Sequence, residues 1–125
     1  MMLDPRQSIR PTIMTEKPAQ SSAEQFQNEV LRPILKLQNE LLIAIVGHFI
    51  QKRKVKWQAL SPQARLDWVA HSLRNDLKMR ALLLGTIIGH FTLAEWQTFQ
   101  ADEAELTRRI TELMTQRLQD QLNTL

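Results

Sequence analysis

From Ala81 to Ala94 the chain runs fourteen residues without an Asp, Glu, Lys or Arg. Its first part reads Ala81-Leu82-Leu83-Leu84-Gly85-Thr86-Ile87-Ile88-Gly89-His90-Phe91. Leucine and isoleucine fall on every side of a helical wheel here, which predicts a helix buried all round. The run is shorter than the ~20 apolar residues that span a bilayer as a helix, so no membrane association is expected. The triplet that closes it, Gly89-His90-Phe91, also closes an earlier apolar run as Gly47-His48-Phe49. An offset of 42 residues superposes the two runs, as a duplicated helix pair would.

The flanking segments read as helices throughout. Ser22-Ala23-Glu24-Gln25 has the capping-box spacing and opens a helix. Phe26, Val30, Ile34, Leu37, Leu41, Ile45 and His48 then recur at three and four, the spacing of one helical face. Leu31, Leu35, Leu42, Val46 and Phe49 widen that face. Pro33 withdraws the bond to the carbonyl of Glu29, so a kink is expected there. Ser61-Pro62 marks a second helix start. Asp76 caps or begins a third helix and is placed to pair with Arg80 at i,i+4. Thr92-Leu93-Ala94-Glu95 is another capping box, which makes Gly89 a candidate for the left-handed residue after the third helix. Leu93, Trp96, Phe99, Leu106, Ile110, Leu113, Met114, Leu118 and Leu122 stripe the last region, which falters near Ala101–Ala104 and reads as one helix or two. No segment alternates as a strand.

Before Ser22, prolines at 5, 11 and 18 and a polar composition predict a disordered tail over residues 1–21, with Met14 as an alternative start. Residues 22–125 form a single helical domain. The expected fold is all-α, a bundle of four to five helices with a kinked long first helix. The chain has no cysteine, which removes disulfides and thiol chemistry. No secretory signal is visible, and a cytoplasmic location is the default expectation. Residues 22–60 carry six basic and three acidic groups, and residues 92–125 the reverse. This suggests that the two regions meet, within one chain or between two copies.

Three functional readings arise. Ala81, Gly85 and Gly89 form a small-residue stripe, and a helical glycine costs about 1 kcal/mol against alanine. Close approach of another backbone, from the first helix or a second copy, would offset that cost. The chain then reads as a homodimeric interaction or scaffold module, able to take a further protein partner. The basic cluster Lys52, Arg53, Lys54 and Lys56 with Trp57 is a candidate grip for nucleic acid, with phosphates on the cations and a base on the indole. The acidic helix after Thr92 weighs against that reading. His48 and His90 are weak candidates for a shared metal or acid–base site; packing histidines are the simpler account. No Glu-x-x-His, nucleophile elbow or phosphate loop occurs, so no cofactor and no metal is expected, and enzyme activity is not favoured. Asp67 and His71, at i,i+4, read as a surface pair.

The segments Phe26-Gln27-Asn28-Glu29-Val30-Leu31-Arg32-Pro33-Ile34-Leu35-Lys36-Leu37-Gln38 and Leu82-Leu83-Leu84-Gly85-Thr86-Ile87-Ile88-Gly89-His90-Phe91-Thr92 resemble a small, uncharacterised bacterial family of all-helical proteins. The resemblance covers residues 25–122. Such proteins are sometimes labelled glyoxalase. Glyoxalase-type folds build their metal sites on β-strands, and this chain offers none, so the resemblance implies fold boundaries and no catalytic residue.

Overall fold

The computed structural model describes residues 4–13, 20–121 and 125. Met14 and Leu122 lie outside them. The described residues contain helices and turns and no strand. A single-turn helix α1 (Pro5–Ser8) is followed by α2 (Ser22–Leu37), α3 (Asn39–Lys52), α4 (Pro62–Asn75), α5 (Leu77–Ile88), α6 (Leu93–Ala101) and α7 (Glu103–Asp120). The expected four to five helices become six of substantial length, because both long segments are divided.

The first division is not at the proline. Pro33 cannot donate to Glu29, and the helix absorbs the missing bond in a π-helical turn, Gln27–Leu31, just before it. The sharp bend, 64°, comes at Gln38 between α2 and α3. The bend changes which side faces inward. Leu31, Ile34, Leu35, Leu42, Val46 and Phe49 form the core face, while Leu37, Leu41 and His48 turn to solvent. The second division falls at Asp102, whose backbone leaves the helical region and separates α6 from α7.

Helix starts follow local chemistry. Ser61 Oγ accepts from the Ala64 N–H at 3.1 Å, with Pro62 at the first helical position. Thr92 and Glu95 close a complete capping box: the Glu95 N–H donates to Thr92 Oγ1 at 3.2 Å, and the Thr92 N–H to Glu95 Oε1 at 2.9 Å. The first long helix is capped one residue earlier than its sequence pattern suggests, by Ser21, which accepts from the Glu24 N–H.

Helix α3 ends without a glycine. Lys54 takes the left-handed conformation, φ 56°. The Val55 N–H reaches the Ile50 carbonyl at 2.9 Å and the Lys54 N–H the Gln51 carbonyl at 3.0 Å, the bond pair of a Schellman ending. Lysine is strained there, so Lys54→Gly is expected to stabilise the protein by about 1 kcal/mol. Urea unfolding checks this, and an unchanged or lower midpoint would remove the assigned strain. Gly89, by contrast, stays right-handed at φ −60°. A Cβ there would lie 2.9 Å from the Gly85 carbonyl oxygen, so closeness of the last turn, not a left-handed backbone, calls for glycine.

The centre of the fold is α7, not the uncharged run. Leu106, Ile110, Met114 and Leu118 recur every fourth residue and are fully buried. This stripe packs across α4, α5 and the π-helical turn of α2. Arg109, Arg117 and Gln119 then bond to Gln27, Asn39 and the Leu66 carbonyl, which ties α7 to three other helices. The run within α5 is buried on one face only. Met79, Leu83 and Ile87 point inward; Leu77, Ala81, Leu82 and Gly85 are exposed. Leu93 and Trp96, expected inside, are also exposed, and Phe99 carries the inward contact of α6.

Residues 4–13 are not a free tail. Arg6 donates to the Phe91 carbonyl at 2.9 Å. Arg10 forms a two-pronged ion pair with Glu95 at 2.7 and 2.8 Å and also donates to the His90 carbonyl. Both side chains of that pair are almost fully enclosed, at 6% and 10% exposure.

Candidate functional site

The two histidines occupy different surroundings. His48 is exposed on α3, its ring edge-on to Phe49. His90 is half-buried in the turn between α5 and α6, where the Gln38 amide donates to its Nε2. Its Nδ1 is buried without a hydrogen-bond partner. Gln38 precedes His48 by ten residues, about 15 Å along a helix, so the rings share no pocket. The repeated triplet therefore sits mid-helix in one copy and in a turn in the other. Asp67 accepts from Gln63 and His71 meets Asn75, so the Asp67–His71 pair does not form. Among the described residues, no three His, Asp or Glu side chains gather as a metal-binding group.

The basic cluster is divided. Trp57 is 5% exposed and stacks edge-on against Trp68, with Arg65 over its ring, so it offers no face to a base. Arg53 is committed to Asp76, at 3.0 and 3.1 Å. That bond holds the Asp76 carboxyl below its usual range. Lys52, Lys54 and Lys56 remain exposed, and Lys78 of α5 stands beside Lys52, which lowers the Lys52 pKa. Since Asp76 is taken by Arg53 and caps the Met79 N–H, the expected Asp76–Arg80 pair is absent.

The regional charge difference does not produce ion pairs between residues 22–60 and 92–121 among the described residues. Two of the acidic side chains of α7 are answered within α7: Arg108 bridges Glu105 and Glu112, and Arg109 also reaches Glu105. Hydrogen bonds from Arg108 and Arg109 hold the Glu105 carboxyl down to about 2.

Helices α3 and α5 lie side by side. Gln38 meets His90 at one end and Lys52 faces Lys78 at the other, so they run antiparallel. Their solvent faces carry Leu41, Ala44 and His48 beside Leu82, Gly85 and Gly89. Leu41 is 45% and Leu82 49% exposed. A Cβ built at Gly85 or at Gly47 meets nothing within 4 Å. The first helical segment therefore does not approach Gly85 closely, and among the described residues nothing offsets the glycine cost.

No protein-family model, no curated protein and no solved structure matches the chain. Fold and surface together define a small all-helical protein, in which no single described helix is long and apolar enough to cross a membrane.

Proposed function

We propose that the protein is an interaction module that pairs with a second copy of itself through the α3–α5 face. The observation that carries this reading is the exposed apolar strip of Leu41, Ala44, Leu82 and Gly85, on two helices packed side by side. Helical glycine without a neighbour is a standing cost of about 1 kcal/mol. A helix crossing at Gly85 would use the space left by the missing side chain.

Charge favours a second copy as the occupant. Glu40 is exposed at one end of α3, and Lys52 with Lys78 crowds positive charge at the other. Antiparallel pairing of α3 with its copy, about a point between Ala44 and His48, sets Glu40 of one chain opposite Lys52 of the other. A twofold interface is self-complementary in this way. The nucleic-acid reading loses its stacking group, since Trp57 is enclosed.

Light scattering of the full chain at micromolar concentration is expected to give a dimer mass. Leu41→Glu combined with Leu82→Glu is expected to give a monomer with an unchanged helical circular-dichroism spectrum. A monomeric parent protein would overturn the proposal, and so would a dimer that survives both substitutions.

A further inference from the structure

A cavity of about 820 Å³ opens between α4, α5 and α7, on elements separate from the pairing strip of α3. Its volume falls in the ~300–1,000 Å³ range of small-molecule sites. We infer that it binds an amphipathic organic monoanion, its carboxylate held by Arg80 and Arg74.

Arg80 is half-buried, and its Nε is shut off from solvent without a hydrogen-bond partner. Its natural helical partner, Asp76, is engaged by Arg53. Arg74, on α4, lines the same cavity and has no acidic partner among the described residues. The Arg80 Nε is closed to a ligand as it is to water, so what Arg80 offers the cavity is its terminal guanidinium nitrogens, which have no hydrogen-bond partner among the described residues. Guanidinium groups suit carboxylates because two parallel N–H donors match two oxygens.

The opposite wall is α7. Thr111 and Thr115 line it with hydroxyl donors already bonded to the Thr107 and Thr111 carbonyls. Their methyl groups and Ala104 therefore supply a carbon surface within this wall, which Thr107, Gln116 and the charged side chains of α7 border. Charge sets the valence. Arg108 and Arg109 together balance Glu105 and Glu112, which leaves Arg74 and Arg80 against Glu103, a residue with no ion pair among the described residues. A net single positive charge matches one carboxylate better than a phosphate dianion, which Glu103 would repel.

Calorimetric titration of the full protein with sodium octanoate tests the inference, with 1-octanol and inorganic phosphate as the chain-only and charge-only probes. Octanoate is expected to bind, and each control probe to bind at least about tenfold more weakly. Arg80→Gln is expected to weaken octanoate about ten- to a hundredfold, the loss of a charged hydrogen-bond pair. Ala104→Trp, which fills the cavity and leaves both arginines, is expected to abolish binding, and melting curves establish that each variant is folded. Absence of octanoate binding, binding unchanged in either variant, or phosphate binding as tight as octanoate would each overturn it. Because Arg74, Arg80 and Ala104 lie outside the pairing strip, the mass of the parent protein in solution tests the dimer separately.

Discussion

Arg10→Ala is expected to destabilise the protein by about 3 kcal/mol, the usual loss when one member of a buried ion pair is removed. For a domain of this size that lowers the melting temperature by on the order of 10 °C. The reason is what stays behind. Glu95 is 8% exposed and would keep its charge with the Thr92 N–H and the Gln7 side chain, and with no cation hydrogen-bonded to it. Burial raises the Glu95 pKa, but Arg10 and the Thr92 N–H outweigh it, and the carboxyl ends below its ordinary 4.5. A carboxylate with a depressed folded pKa contributes stability that is full above the unfolded value and is lost as the pH falls through the folded one. The difference between parent and Arg10→Ala should thus be full at neutral pH and shrink on acidification below about 4.5. A difference that stays constant down to about pH 3 would show that the pair does not act through Glu95 ionisation. Arg10→Ala with Glu95→Gln should recover part of the loss, because the amide can still accept from Thr92 without a buried charge. Removal of residues 1–13 should cost at least as much as Arg10→Ala, since the Arg6 bond to Phe91 goes as well.

Adjacent leucines are expected to behave oppositely. Leu83 is 0% exposed, and Leu83→Ala should cost about 3 kcal/mol through lost transfer energy and the cavity left behind. Leu82, one residue earlier, is 49% exposed, and Leu82→Ala should cost under about 1 kcal/mol in a dilute monomer. If pairing occurs as proposed, Leu82→Ala also reduces the concentration dependence of unfolding, which Leu83→Ala leaves in place. Denaturant titrations at two protein concentrations measure both effects. Equal losses at the two positions would contradict the one-sided burial of α5.

These two positions show what could be read from residue order and what could not. Helix starts were legible because a cap is local: Ser61-Pro62 and Thr92-x-x-Glu95 carry their own hydrogen-bond partners within three residues. The all-helical class was legible from the spacing of apolar residues. The inward face of α5 was not, because Leu82 and Leu83 are the same residue type and only the position of α7 distinguishes them. The bend followed the same rule. Pro33 advertises a defect, but a π-helical turn absorbed it, and the chain turned at Gln38, which carries no breaker signal. Of the candidate site residues, Trp57 carries no local sign of its burial, because its partner, Trp68, lies eleven residues on in α4. The free Arg80 is not legible in residue order, because Asp76 stands at ideal helical spacing from it and is captured by Arg53, 23 residues earlier. Arg10 lay in a stretch with the composition of a tail, and one buried partner outweighed that composition.

The long reach of Arg10 also orders events during synthesis. Its acceptor Glu95 follows it by 85 residues. At about 5–20 residues per second, the arginine waits roughly 4–17 s on the ribosome before that carboxylate is made. The leading segment can therefore close over the α5–α6 turn only after most helices have emerged. It acts as a latch on a nascent chain, fastened by residues made well before the turn they close.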